Sequence, residues 1–172
     1  GSAMRTDEGP MRLDLHVHSC LSPCGDLEMS PRAIAARARE AGLDAIALTD
    51  HNSARNTPAL AVCCREAGLS CLFGLEVNTA EEVHTLTLFD TVEQALAMTE
   101  WVYAGLPKRV NQPEVFGDQP VVEADETIIE LEWRLLAAAR PSKTGIVSRS
   151  CCATGRPSAL FMAHNWPPLR PA

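Results

Sequence analysis

The 172-residue sequence lacks several features that would assign it to a particular class of protein. It has no apolar run long enough to span a membrane, and no charged start with an apolar core that would mark a signal peptide. None of its seven cysteines forms a C-x-x-C pair, which argues against zinc-knuckle and thioredoxin-like motifs. We therefore expect a single-domain cytoplasmic protein in which most cysteines are buried free thiols.

Acidic residues are absent from the end of the chain, where none follows Glu132. Residues 1–140 carry 11 Lys/Arg and 22 Asp/Glu, a net charge of −11, whereas residues 141–172 carry four basic residues and no acid. An acidic body disfavours polymeric nucleic acid as a partner and suits divalent cations. The break near residue 140 predicts an atypical tail, which is either a genuine short variant or a segment read out of frame.

Strand-like and helix-like segments alternate along the chain, which is typical of an α/β fold with a largely parallel sheet. Helix signals are clear: Ser30 precedes Pro31 as an N-cap, and Gly42 and Gly68 follow predicted helices. The predicted strands are 12–18, 45–49, 70–76 and 83–89. The predicted helices are 31–42, 57–68, 91–103 and 127–140, with a loop over 104–125.

Polar residues gather where the predicted strands end. His16 and His18 end the first strand, His51 follows the second, and Glu76 ends the third. Functional groups in parallel sheets and barrels collect at the carboxyl ends of strands, because the loops there vary without disturbing the core. His84, early in the fourth strand, fits this pattern only loosely. The concentration predicts a functional site at this edge.

The residue types at this edge are those that bind transition metals. The H-x-H spacing puts two imidazoles on one face of a strand, roughly 6.6 Å apart along it. H-x-H alone is weak, since surface histidines are common, but the added carboxylates and histidines indicate zinc, manganese or iron, with enough ligands for two ions. Such ions activate water, so the set predicts a hydrolase. The candidate ligands are His16, His18, Asp26, His51, Glu76 and His84.

Three further residues are candidates for supporting roles. Arg55, a candidate catalytic residue, lies just before a helix and could bind a phosphate group with that helix's amides, or be an ordinary solvated arginine. Asp50, a candidate catalytic residue, and Asp14 adjoin candidate ligands and are expected to fix imidazole tautomers. Asp50 could equally be a helix-capping or loop residue.

Two other kinds of site receive less support. A Ser-His-Asp arrangement based on Ser19 or Ser53 rests on proximity in sequence alone. Cys20 and Cys24 flank the loop after the first strand, so they are alternatives to the expected ligands, although buried thiols are commoner.

Several stretches resemble the PHP family, named for polymerase and histidinol phosphatase, and in particular its bacterial metal-dependent phosphoesterases. They are "DLHVHSCLSPCGDLEMSP", "GLDAIALTDHNSARN", "GLEVNTAEEVHTL" and "FGDQ", between about residues 11 and 139. The resemblance implies a distorted seven-stranded β/α barrel that holds two or three divalent metal ions (Zn, Mn or Fe) and hydrolyses phosphate esters. By position it assigns metal ligation to His16, His18, Asp26, His51, Glu76 and His84.

The sequence departs from the family pattern near its end. Family members continue to an "A-H" histidine, matched here by His164, and then to a D-x-H pair that completes the metal set. No D-x-H follows His164 in this chain. We therefore expect an incomplete barrel with fewer than seven strands, and His164 is the last candidate ligand.

These observations predict a metal-dependent phosphoesterase that acts on monoesters or diesters of small metabolites or nucleotides through a metal-activated water. The alternative is a catalytically impaired metal-binding or interaction module; a structural protein with satisfied histidines is the third reading. An exposed barrel edge also predicts a homo-oligomer. We expect residues 1–10 to be a tag remnant and disordered N-terminus, 11–140 a PHP-like metal-binding domain, and 141–172 a tail that is irregular or partly completes the barrel.

Overall fold

The structure is a computed structural model, and it describes residues 10–79, 84–138 and 159–161. Its strands are β1 (Leu13–Val17), β2 (Ala45–Leu48), β3 (Ser70–Asn78), β4 (His84–Phe89), β5 (Pro120–Val122), β6 (Ile128–Leu131) and β7 (Ala159–Phe161). Its helices are α1 (Pro31–Glu40), α2 (Thr57–Ala67), α3 (Val92–Gly105) and α4 (Pro113–Phe116). The main sheet has the order β1-β2-β3-β4-β7, and β5 pairs with β6 in a separate ribbon.

The first half of the chain folds as two β-α-β units, as predicted. β1 pairs in parallel with β2, and β2 in parallel with β3. The α1 helix begins at Ser30, whose hydroxyl accepts a hydrogen bond from the Ala33 N–H at 3.1 Å. The α2 helix ends at Gly68, whose φ of 69° lies in the left-handed region that favours glycine. Parallel pairing places the carboxyl ends of β1, β2 and β3 at one edge of the sheet, which we call the rim.

Substitution of Ser30 by alanine tests the cap of α1. We expect a loss of about 0.5–2 kcal/mol in the free energy of unfolding. The Ala33 N–H would lose its partner, and Glu126 would lose the hydroxyl donor that lies 2.5 Å away. Denaturant unfolding measures the change, and Ser70→Ala at the exposed start of β3 is the matched control. Equal losses in the two variants would contradict the capping role.

The fourth strand runs against the third, which corrects the expectation of a largely parallel sheet. β4 pairs antiparallel with β3, with His84 opposite Asn78 and Leu86 opposite Glu76. Residues 79–83 are too few for the crossover of a dozen or more residues that parallel pairing needs. The start of β4 therefore lies at the rim, beside the end of β3. This explains why His84 is early in its strand and still belongs with the other candidates.

The predicted helix over 127–140 is wrong for the part that the structure describes. Ile128–Leu131 is strand β6, which pairs antiparallel with β5, and Arg134 forms a bridge with Val110. Consecutive isoleucines favour a strand, since β-branched side chains lose freedom in a helix. The expected 104–125 loop likewise contains α4 and β5.

Two apolar clusters hold the helices against the sheet. One joins α1, α2 and β2 through residues such as Ile34, Ile46 and Leu60, and the other joins α3 to β3 and β4 around Leu75 and Met98. These clusters fix the strand ends that form the rim. No helix within the described residues has both the length and the apolar character that crossing a membrane requires.

Candidate metal centre

The rim brings together five of the predicted metal ligands. His16 lies in β1 and His18 directly follows it, whereas His51 follows β2 and forms a parallel bridge with Glu76 of β3. His84 begins β4. Four separate strands thus contribute side chains to one place.

The carboxylate of Glu76 contacts all four imidazoles. Its Oε2 lies 3.2 Å from His16 Nε2 and 3.1 Å from His18 Nε2. It also lies 3.5 Å from His51 Nδ1, while Oε1 lies 2.9 Å from His84 Nδ1. Glu76 itself is only 4% exposed. The rings form a row, with centroid separations of 5.0, 4.7 and 5.4 Å in the order His16, His18, His51 and His84.

The spacing of these atoms fits a small divalent ion. His16 Nε2 and His18 Nε2 are 3.0 Å apart, and each is within 3.2 Å of the same Glu76 oxygen. Ligand atoms at about 2.0–2.1 Å from an ion are separated from one another by roughly 2.9 Å in octahedral and 3.4 Å in tetrahedral geometry. The observed separations lie in this range. The donor set of imidazole and carboxylate suits zinc, manganese or iron.

A buried hydrogen-bond relay orients His18. The Ser22 hydroxyl donates to Asp50 Oδ1 at 2.7 Å, and its oxygen lies 3.0 Å from His18 Nδ1. The Ser22 hydroxyl has one hydrogen, which it donates to Asp50. The His18 Nδ1–H therefore donates to the Ser22 oxygen. The Nε2 electron pair of His18 therefore faces His16 and Glu76, as a metal ligand requires.

The electrostatics of the site favour the neutral form of two of its histidines, His18 and His51. Burial, followed by the neighbouring His51, lowers the pKa of His18 to about 4. Burial also lowers the pKa of His51. For Glu76, burial acts to raise the pKa, but the hydrogen bond with His16 and the electrostatic influence of the neighbouring His51, His16 and His18 outweigh it and leave the pKa lowered. His18 and His51 are thus favoured as neutral imidazoles beside an ionised carboxylate, the forms that bind metals.

Three overlapping groups at the rim have metal-binding geometry within the described residues. They are His16 with His18 and Glu76, His51 with Glu76 and His84, and His18 with Cys24 and His51. Asp26 is in none of the three, and its role as a ligand stays a prediction. His164 lies outside the described residues.

The predicted supporting residues occupy different positions. Asp50 is 1% exposed and accepts hydrogen bonds from the N–H and hydroxyl of Ser19, each at 2.6 Å, as well as from Ser22. It therefore reaches His18 only through Ser22. Asp14 accepts from the backbone N–H of His16 at 3.2 Å rather than from the ring. Asp14, which was also expected to fix an imidazole tautomer, thus contacts the backbone of His16 and not its ring.

Arg55 contacts two carboxylates of the β5–β6 region. Its guanidinium donates to Glu130 at 2.7 Å and to Glu132 at 3.1 Å. Glu132 is buried and also accepts hydrogen bonds from Tyr103 and Arg134. The phosphate-binding role of Arg55 stays a prediction.

Sequence reasoning missed the residues that hold the imidazoles in place. Besides Ser22, Asn78 places its amide oxygen 3.1 Å from His51 Nδ1. Asn52, with a left-handed φ of 55°, accepts from the Asn78 N–H and donates to the carbonyls of Leu136 and Ala138. The sequence signal for Asn52 is its place at the end of "DHN", directly after a candidate ligand, because asparagine tolerates left-handed backbone better than most residues.

The sequence profile of the PHP domain family matches residues 14–169. The chain belongs to the PHP domain family. The match includes all seven residues predicted as metal ligands, and the open sheet of the described residues is an incomplete PHP-type barrel, as expected. Membership, together with the clustered histidines and Glu76, makes the rim the candidate metal centre of this chain.

Relatives of this PHP domain include much longer proteins. The PolC-type DNA polymerase III of Thermotoga maritima is 35% identical over 82 residues, which are 47% of this chain and 6% of the polymerase. An uncharacterised protein of Methanocaldococcus jannaschii is 30% identical over 101 residues, 54% of this chain and 59% of that protein. The chain thus spans a small part of the polymerase and less than two thirds of the archaeal protein.

Solved structures with similarity to this PHP domain also match it in part. A protein of Bifidobacterium adolescentis assigned as a metal-dependent phosphoesterase has a TM-score of 0.45 and 23% identity, over 56% of this chain and 34% of its own. An amidohydrolase of Chromobacterium violaceum with bound sulfate and no metal has a TM-score of 0.46 and 28% identity, over 55% and 33%.

Proposed function

We propose that this PHP domain is a metal-dependent phosphoesterase that hydrolyses monoesters or diesters of small metabolites or nucleotides. The observation that carries the proposal is the contact of one buried carboxylate, Glu76, with four imidazoles at one rim. Family membership supports hydrolysis, and the acidic body of the chain favours small substrates over polymeric nucleic acid.

The side chains of the rim divide into ligands and residues that position them. His16, His18, His51, Glu76 and His84 would hold divalent ions. Such ions lower the pKa of a bound water and polarise a phosphoryl oxygen. Around them, the relay from Asp50 keeps the His18 proton on Nδ1, and the Asn78 amide oxygen does the same for His51. The chain itself thus supplies His18 and His51 as correctly oriented ligands.

Arg55 is the proposed phosphate contact. Its present partner Glu130 has a side chain that is 44% exposed, whereas Glu132 is fully buried. A substrate phosphate would replace the exposed Glu130 more readily than the buried Glu132, because an exposed ion pair contributes little.

The alternative proposal is a metal-binding module without turnover. The observation that favours it is the stretch of residues 133–172, which contains no acidic residue that could serve as a further metal ligand. Homo-oligomer formation and cytoplasmic location also stay predictions. An oligomer would have apolar residues to bury, since Ile128 and Ile129 are 59% and 58% exposed.

Metal removal and readdition separates these proposals. We expect protein stripped with a chelator to lose hydrolysis of a phosphomonoester and phosphodiester panel, and to recover it with zinc, manganese or iron(II). His16→Ala should bind less metal and lack turnover, while Arg37→Ala on the exposed face of α1 should retain its full metal content and turnover. Elemental analysis that finds metal in a protein inactive on the whole panel would favour the module. Absence of metal after dialysis against each ion would refute both.

A further inference from the structure

The loop after β1 places a thiol against the imidazoles. Cys24, His18 and His51 each offer one ligand atom, and these atoms all lie within 4.8 Å of one another. Asp26, the carboxylate expected from this loop, instead accepts a hydrogen bond from the Glu28 N–H at 3.0 Å. The side chain that the loop turns towards the histidines is therefore Cys24.

Backbone contacts fix the position of this thiol. The Ser22 N–H donates to the Ser19 carbonyl at 3.1 Å, and the Gly25 N–H donates to the Ser22 carbonyl at 2.8 Å. A Cβ at Gly25 would lie 2.1 Å from the Ser19 oxygen, so a larger residue would push the loop outwards. The two turns thus hold Cys24 by local structure, independently of any ion.

Both histidines of this group have an electron pair to offer. His18 Nδ1 lies against the Ser22 hydroxyl, and His51 Nδ1 lies 3.1 Å from the amide oxygen of Asn78. An amide oxygen only accepts, so His51 Nδ1 carries the proton, as does His18 Nδ1. The Nε2 atom of each ring then carries the electron pair that a metal would accept.

We infer that Cys24 is a metal ligand, and that its sulfur, with His18 and His51, makes this part of the centre selective for zinc over manganese. Thiolate favours borderline and soft ions, whereas manganese prefers oxygen ligands. The thiol proton leaves to solvent as the sulfur–metal bond forms. The inference rests on the proposed function only in requiring that the histidine-rich rim binds metal.

X-ray absorption of the full chain loaded with zinc alone tests the inference. We expect a sulfur shell at about 2.3 Å beside nitrogen or oxygen at about 2.0–2.1 Å. Cys24→Ser should remove that shell and weaken zinc binding by about tenfold or more, with manganese binding changed less. Cys71→Ser, at a half-buried thiol in β3, is the matched control and should keep the shell.

Alkylation gives a second readout that needs no variant. Cys24 is the one exposed cysteine among those in the described residues, so iodoacetamide should label it and zinc should slow the labelling. Zinc bound without a sulfur shell, a shell that persists in Cys24→Ser, or unchanged labelling of zinc-loaded protein would each overturn the inference while leaving the proposed function intact. Failure to bind any metal would instead defeat the proposed function.

Discussion

Replacement of Glu76 by glutamine is expected to lower the metal content of the rim and to reduce phosphoester hydrolysis by roughly 10³-fold. Glutamine keeps the shape of the side chain but removes the charge that contacts four imidazoles. Metal ions contribute several kcal/mol to catalysis, and each 1.4 kcal/mol is a factor of ten in rate. Elemental analysis and the rate on the best ester of the panel measure the two effects.

The matched control for this variant is Glu66→Gln. Glu66 lies in α2, where its exposed carboxylate pairs with Arg32 at 3.0 Å. The control removes the same charge from the same kind of side chain, at a surface pair that contributes little. We expect it to keep wild-type metal content and rate. If Glu76→Gln retained its full metal content, the assignment of the rim as the metal centre would be wrong.

Replacement of Asp50 by asparagine is expected to weaken metal binding by about 10- to 100-fold, because substitutions of residues that orient metal ligands typically reduce metal affinity by this factor. Both oxygens of Asp50 accept hydrogen bonds: Oδ1 from Ser22 and the Ser19 N–H, and Oδ2 from the Ser19 hydroxyl. An asparagine NH₂ in place of Oδ2 would meet a hydroxyl oxygen that already accepts from Leu21 N–H and Asn56. The relay to His18 would then lose its fixed orientation.

Asp50→Asn should also lower the free energy of unfolding. Leaving buried donors without an acceptor costs about 1–3 kcal/mol. For a chain of 172 residues this lowers the melting temperature by about 2–12 °C. Asp44→Asn, at an exposed carboxylate that accepts from the Arg12 N–H, is the control. Calorimetry without metal and titration with zinc separate the effects: a stability loss with unchanged zinc affinity would show that Asp50 does not position His18.

The sequence predicted the first half of the fold well because its signals are local. Helix caps such as Ser30 and Gly68 involve neighbours in sequence, and the alternation of strands with helices leaves few arrangements other than parallel pairing. The incomplete PHP-type barrel was also predicted correctly. The direction of β4 was not, although the short connection at residues 79–83 carried the signal.

The segment after residue 126 escaped prediction because tertiary contacts decide it. The sequence pattern predicted a helix over 127–140. In the structure Leu136 packs instead with Leu21 and Val121, and its N–H donates to the buried Gln119. Partners more than ten residues away in sequence fix this segment, and a local pattern cannot reveal them.

The candidate site also contains residues that sequence patterns predict and residues that only tertiary contacts determine. The meeting of His16, His18, His51 and Glu76 was predictable because the carboxyl ends of parallel strands lie at one edge of a sheet, whereas the place of His84 depends on the antiparallel direction of β4. The positioning role of Ser22 was not, because it depends on contacts with His18 and Asp50 across the rim. The thiol of Cys24 was only an alternative ligand in the sequence, since loop geometry decides whether it or Asp26 turns inwards.

Anomalous diffraction from crystals grown with zinc, recorded on both sides of the zinc absorption edge, tests the central claim most directly. The account predicts a peak about 2.0–2.3 Å from imidazole nitrogens of the rim and a coordinating oxygen of Glu76 or sulfur of Cys24. Zinc peaks found only elsewhere on the molecule, with Glu76 contacted only by protonated imidazoles, would contradict the assignment of the rim as the metal centre.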